Sequence, residues 1–239
     1  LIDLTCDEEG FEKAKTVLAR LGDMLKEAAG RVSPAAAGIS ESRPFCSPKA
    51  FTISGNVAYN ALAADLKAAG GTFTGALDVL SVILRTDYLW NSVRGRCGAY
   101  DAMCGFARNG SMYLASYRDP GIRETYKIFE ETADYIETFD ASPRDMTKYI
   151  IGAVSEKDKP LTPSLVGLRS LAAYMAGISY EEAQQRRDEM LDADAEAVRA
   201  LAKVIRQAAQ NAAKCTIGSE RSIRACEGFF ESIEPLGEE

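Results

Sequence analysis

The stretch Thr86-Asp87-Tyr88-Leu89-Trp90-Asn91-Ser92-Val93-Arg94-Gly95-Arg96-Cys97-Gly98-Ala99-Tyr100 joins an apolar helical pattern to a β-hairpin. Upstream, Leu77, Leu80 and Leu84 share one face of a helix predicted from about Thr74 to Asn91. Gly95 and Gly98 punctuate the change from helix to strand, because glycine tolerates positive φ and close backbone approach. Arg94 is left at the mouth of this corner and Tyr100 at the head of the strand. Downstream, Asn109-Gly110 predicts a two-residue hairpin loop. That loop sets Arg108 opposite Ser111, Phe106 opposite Tyr113, Cys104 opposite Ala115 and Ala102 opposite Tyr117. Alternation then puts Tyr100, Ala102, Cys104 and Phe106 on one side. On spacing alone Tyr100 reads as a core residue.

Working outward, Phe11, Ala14, Leu18, Leu21 and Leu25 mark a leading amphipathic helix. Gly30–Pro48 is rich in Gly, Pro, Ser and Ala and reads as a connection. The expected organisation is therefore a leading helix and linker over 1–45, with the end of a preceding domain as the alternative for this segment, and a main domain over 46–239. One or two strands are expected from Phe51 to Tyr59, interrupted near Gly55, and Ala61–Gly71 is ambiguous. Asp119-Pro120 starts a helix with Ile122, Tyr126, Phe129, Ala133 and Ile136 inward. Further helix starts fall at Ser142-Pro143, Thr162-Pro163, Ser179 (with Glu182 in capping-box spacing) and Asp192 or Asp194. Met146, Tyr149 and Ile150 are core candidates on the second of these helices, and Val198, Leu201 and Ile205 on the last. Gly177 ends the third helix. A strand near Cys215–Ile217, a helix from Ser219 and an acidic end complete the chain. Arg186 and Arg187 with Glu181, Glu182 and Glu189 read as a solvated helix face, and Tyr149, Tyr174 and Tyr180 as packing residues. Strands gathered early and helices late predict an α+β fold, an antiparallel sheet covered on one face by helices.

Composition removes several functions. The 239 residues hold 28 Lys+Arg against 35 Asp+Glu, a net charge of −7 that opposes nucleic-acid binding as the main task. No apolar run approaches the ~18–20 residues of a membrane-spanning helix. Cys6, Cys46, Cys97, Cys104, Cys215 and Cys226 form no C-x-x-C pair, which argues against a structural zinc site; free thiols in a reducing compartment, the cytoplasm or an organelle matrix, are the simpler reading, and the even count leaves a disulfide as the alternative. There is no histidine. That excludes a Ser-His-Asp triad, a Cys-His pair and a zinc-binding H-x-x-E-H within this chain. Leu1-Ile2-Asp3-Leu4 offers neither an initiator Met nor a signal-peptide pattern, and predicts a piece of a longer polypeptide.

Tyr88-Leu89-Trp90, Val93-Arg94, Gly98-Ala99-Tyr100, Ser116-Tyr117-Arg118-Asp119-Pro120, Lys148-Tyr149-Ile150-Ile151-Gly152 and Gln185-Arg186-Arg187 together resemble the C-terminal part of presequence proteases. These are zinc metallopeptidases of the pitrilysin and insulin-degrading group. The resemblance runs from about Phe51 onward. It departs at Arg96-Cys97, where the family more often has a small or polar residue and then glycine, and at Asp101, often glycine there. It implies a sheet-and-helix domain, one of four that enclose a chamber. It also implies that zinc and H-x-x-E-H belong to a missing N-terminal half, which is the partner of this one. Matched position by position, Arg94 and Tyr100 are the residues lent to the peptide substrate. A non-catalytic structural or interaction module of the same fold is the alternative, and an independent histidine-free enzyme has no linked motif behind it. A domain separated from such a chamber is expected to self-associate.

Overall fold

The computed structural model describes residues 2–29 and 47–237. The connection expected over Gly30–Pro48 lies almost wholly outside them, as do Leu1 and the last two acidic residues. The strands are β1 (Lys49–Ile53), β2 (Ala58–Asp65), β3 (Asp101–Phe106), β4 (Ser111–Asp119), β5 (Ala213–Ser219) and β6 (Ser232–Pro235). The helices are α1 (Glu8–Ala29), α2 (Gly75–Ile83), α3 (Arg123–Glu130), α4 (Thr132–Glu137), α5 (Pro143–Lys157), α6 (Pro163–Met175), α7 (Tyr180–Leu191), α8 (Ala195–Ala200), α9 (Ala202–Gln210) and α10 (Glu220–Arg224). Contacts divide the chain into two compact units, Leu1–Arg43 with Lys159–Ala183, and Pro44–Asp158 with Gln184–Glu239.

The larger unit is built on one sheet of order β3-β4-β2-β5-β1-β6. The α+β expectation holds, with a difference in strand direction. β1 runs parallel to both β5 and β6, and the remaining pairs are antiparallel. Strand β6 carries no alternation that would announce it. One face of the sheet is dry: Ala58, Asn60 and Leu62 of β2 and Met112, Leu114 and Ser116 of β4 are buried. Against this face pack α2, α3 and α9, bringing Leu80, Ile83, Phe129 and Ile205 into the core. All five residues of the predicted Ile122–Ile136 stripe are buried. The other face carries Tyr59, Tyr113 and Tyr117, and the last two stay largely exposed.

Most of the local start signals work as written. Ser142, Asp194 and Ser219 accept N–H bonds from Asp145 (3.2 Å), Ala197 (2.7 Å) and Ser222 (3.1 Å) at the starts of α5, α8 and α10. Tertiary packing overrides the sequence elsewhere. Arg186 is not on a solvated face: its guanidinium grips Asp78 at 2.6 and 2.5 Å and lies 4.1 Å from the Phe73 ring centroid. Glu189 is likewise committed, accepting the Gly75 N–H at 2.7 Å to cap α2 from a distant helix. Arg187 pairs with Asp158 at 2.6 Å. Helices α7 and α2 meet so closely that a Cβ on Gly75 would lie 2.4 Å from the Arg186 carbonyl oxygen. In the same way Gly152 of α5 leaves room for the Val82 side chain.

The smaller unit holds α1, α6 and the start of α7. Thr162 caps α6, Gly177 takes φ +63° just beyond it, and Ser179 and Glu182 form the predicted capping box with two 3.1 Å bonds. Phe11, Leu21 and Leu25 on α1 are exposed, as are Leu165, Leu168 and Tyr174 on α6. Tyr174 and Tyr180, expected as packing residues, are therefore surface residues; only Tyr149 is part-buried, beside Phe139.

Gly75→Ala should lower stability by ~1–3 kcal/mol, since backbone rather than a flexible side chain must give way. Urea unfolding reads this directly, and an unchanged midpoint would contradict the close approach. A second expectation concerns alkaline pH. Burial pushes the Cys104 thiol up to about 11, with Ser81 partly offsetting the effect. The protonated thiol's contribution is complete below the ordinary thiol range and is lost as pH rises through that raised value. Stability should thus fall between about pH 9 and 11, and fall less steeply in Cys104→Ala. Equal slopes would assign the loss to other groups.

Candidate functional site

The corner between α2 and β3 is built from an unusual helix. After Ile83 the chain continues as π-helix over Leu84–Tyr88 and again over Trp90–Arg96, extending the predicted helix by a further turn. The π form is rare and its hydrogen-bond geometry poor, so something must hold it. Leu84, Leu89 and Val93 are fully buried. Tyr88 donates to the Ile128 carbonyl (2.8 Å) and stacks on Tyr135 at 4.5 Å between centroids. Tyr135 in turn donates to Asp87 at 2.8 Å, and Asn91 donates to the same carboxylate at 2.8 Å. Burial raises the phenol pKa of both Tyr88 and Tyr135, so both stay protonated donors.

The helix then unwinds. Gly98 takes φ +80°, its N–H donates to the Arg94 carbonyl (3.1 Å), and the Ala99 N–H donates to the Val93 carbonyl (3.3 Å). These bonds fold the chain back so that Tyr100 begins the hairpin beside the turn that carries Arg94. The hairpin register differs from the expected one by a residue. Asp101 faces Tyr117, Ala102 faces Ser116 and Cys104 faces Leu114. The cause is the loop. Gly110, at φ +100°, donates to the Ala107 carbonyl (2.9 Å), while the Ser111 N–H is held by the Asn109 side chain (2.9 Å). Asn109 does not enter the left-handed region that a two-residue loop demands. Arg108, Asn109 and Gly110 form a three-residue loop instead.

At its far end β4 bulges. Ala58 pairs with Asp119 but Asn60 with Ser116, so Tyr117 and Arg118 together oppose Tyr59. Arg118 takes φ +50°, the one non-glycine left-handed residue among those described. The Tyr100 N–H reaches both members of the bulge, Tyr117 O at 3.1 Å and Arg118 O at 3.4 Å. Beyond the bulge, Asp119 does not cap a helix beginning at Pro120; α3 starts at Arg123. Its buried carboxyl instead accepts from Gly121 N–H (2.8 Å), Thr125 Oγ1 (2.7 Å) and Asn60 Nδ2 (3.1 Å).

The reading of Tyr100 as core is overturned. The residue is 64% exposed and its ring meets Tyr117 edge-on at 6.1 Å, with Tyr117 in turn 5.2 Å from Tyr59. The bulge ends the regular alternation at Asp101, which frees Tyr100 from the core face. Arg94 is half-buried, with its guanidinium carbon 4.0 Å from the Trp90 ring centroid. Among the described residues neither the Arg94 guanidinium nor the Tyr100 hydroxyl is hydrogen-bonded, and the two side chains do not bond to each other. Sequence reasoning assigns Trp90 no role of its own. Its spacing of four from Arg94, together with its being the chain's single tryptophan, was the available signal. No histidine is present, and among the described residues no three Cys, Asp or Glu side chains gather as a metal site requires. The described residues offer no ligand set that fits a zinc ion.

The fold is that of the peptidase M16 class. A solved peptidase M16 inactive domain from Pseudomonas fluorescens superposes with a TM-score of 0.54 at 14% identity, over 72% of this chain and 43% of that one. Pitrilysin gives 0.52 at 13%, over 80% and 21%. At such identities the likeness is one of fold. Sequence narrows the class: residues 48–219 match the PreP C-terminal domain, and the chain belongs to that family. Protein HypA of Clostridium perfringens is 36% identical over 76% of this chain. Presequence protease 1 of Arabidopsis thaliana, named as chloroplastic/mitochondrial, is 26% identical over 99% of it. The chain spans about a fifth of the length of these two relatives. No described helix is long and apolar enough to cross a membrane.

Arg118 supplies the test of the corner's backbone. Arg118→Gly should raise stability by ~1 kcal/mol by relieving the left-handed conformation, and Arg118→Val should lower it by ~1–2 kcal/mol. The opposite order in urea unfolding would show that the bulge is not formed in solution.

Proposed function

We propose that this chain is the C-terminal, zinc-free domain of a peptide-degrading zinc metallopeptidase of the presequence-protease type, lining a chamber that its N-terminal half completes. On this reading Arg94 and Tyr100 face the peptide. The observation that carries it is a pair of uncommitted donors, a guanidinium and a phenol, at one corner folded by backbone bonds, inside the family-matched residues. Hydrolysis of a peptide bond develops negative charge on the scissile carbonyl oxygen. Donors held ready for that oxygen stabilise the transition state more than the ground state. Zinc is held by the other half, and these two residues act on the substrate alone. The compartment on this reading is an organelle matrix or the cytoplasm. A chain cut from such an assembly exposes the apolar residues of α1 and α6 and self-associates.

In the full-length polypeptide, Arg94→Ala and Tyr100→Phe should each reduce kcat/KM for peptide cleavage by ~10- to 1000-fold, the range for loss of a transition-state donor. Unfolding midpoints should hardly move, because neither side chain belongs to the core. Full activity in both variants would sink the reading and leave the chain as a structural module of the same fold.

A further inference from the structure

The run Tyr88-Leu89-Trp90 divides sharply by role. Tyr88 donates to the Ile128 carbonyl and stacks on Tyr135, and Leu89 is fully buried, so both are explained by packing. Trp90 is not. Nearly half its surface is exposed (48%), on the largest apolar side chain there is. Its one ring contact among the described residues is with the Arg94 guanidinium, 4.0 Å from the ring centroid and one helical turn on.

The manner of that contact matters. An arginine held by a carboxylate presents its in-plane N–H groups to the partner and has its charge offset. Arg186 shows this state, with Asp78 gripping the fork from the edge while Phe73 covers one face. Arg85, Arg187 and Arg206 are likewise turned toward acidic partners. Arg94 has the aromatic half of that arrangement without the acid. A ring against the guanidinium face restricts the side chain while leaving the in-plane donors and the charge available.

We infer that Trp90 is a positioning residue for Arg94, acting as a stacking platform that holds the guanidinium in place with all its edge donors free for an anionic or carbonyl oxygen of the bound peptide. This rests on the reading that Arg94 meets the substrate. The π-helical winding contributes, since Trp90–Arg96 is one continuous π-helical segment in which each member of the pair directly follows a residue anchored in the core, Leu89 before Trp90 and Val93 before Arg94. The platform is thus fixed to the core through its neighbours even though its own ring is at the surface.

Two measurements test this. In the 239-residue chain Trp90 is the only tryptophan, so acrylamide quenching of its emission reports the covering of one ring face. The quenching constant should rise about 1.5- to 2-fold in Arg94→Ala; an unchanged constant overturns the stack. In the full-length polypeptide, with the emission of other tryptophans irrelevant to a kinetic readout, Trp90→Leu should lower kcat/KM about 5- to 50-fold, mostly in kcat, and Trp90→Phe should recover most of the loss. In the Arg94→Ala background Trp90→Leu should cost nothing further. A fully additive loss, or a Trp90→Leu enzyme as active as the parent, overturns the inference while Arg94→Ala is still impaired. If instead Arg94→Ala is fully active and the quenching still rises, the stack stands and it is the substrate role of Arg94 that fails.

Discussion

A buried hydrogen-bonded cluster centred on Asn60 holds the larger unit in register. The Asn60 amide nitrogen lies within 3.1 Å of Ser116 Oγ and Asp119 Oδ2 and 3.0 Å of the Gly121 carbonyl. Its oxygen accepts from Thr216 Oγ1 at 2.9 Å. Thr216 meets the Tyr126 hydroxyl at 3.0 Å, and that hydroxyl also donates to the Cys215 carbonyl at 2.8 Å. One polar side chain on β2 thereby joins β4, β5 and α3 where the sheet meets its helical layer. A buried polar group left without its partner costs ~1–3 kcal/mol, so each strand has one alignment that satisfies the whole cluster. A slip by one residue would bury Tyr117 and expose Ser116. The bulge at Tyr117-Arg118, and with it the place where Tyr100 leaves the sheet, follows from where Asp119 must end up.

That cluster also explains what the sequence could and could not disclose. Helix starts were legible because a cap is a matter of three or four consecutive residues: Ser142, Asp194 and Ser219 bond their own helices. The inner stripe from Ile122 to Ile136 was legible for the same local reason. Asp119 looked like another cap, yet its carboxyl is drawn toward an asparagine on another strand. Arg186 looked solvated, and its acid lies on a helix far away in sequence. The hairpin register turned on whether Asn109 would accept a left-handed backbone or bond Ser111 through its side chain, two options with the same letters. Parallel pairing of β1 left no trace, because alternation records which face is wet and not which way a neighbour runs.

At the candidate site the residue types were legible and their surroundings were not. Arg94 and Tyr100 could be singled out, but spacing alone assigned Tyr100 to the core. Its exposure depends on a left-handed arginine in the facing strand, a conformation no residue preference would suggest. The site thus combines a firmly anchored frame with two polar groups that the frame does not use. Tyr135 and Asn91 both bond Asp87 and Tyr88 bonds the Ile128 carbonyl, while the Arg94 guanidinium and the Tyr100 hydroxyl have no hydrogen-bond partner among the described residues.

The position of β1 has a consequence for how the molecule is made. Lys49 meets Cys215 on one side and Ser232 on the other, so both neighbours of this strand come from much later in the chain. A ribosome delivers β1 long before it delivers either of them. Until then the strand has two open edges, with Phe51 and Ile53 among its residues, and it can pair with another nascent chain as readily as with its own. The hairpin and the helices packed on it can form early from local contacts. Closure of the sheet through β5 and β6 is the slow, non-local step, and during that interval a chaperone that covers extended apolar segments would have this strand to bind.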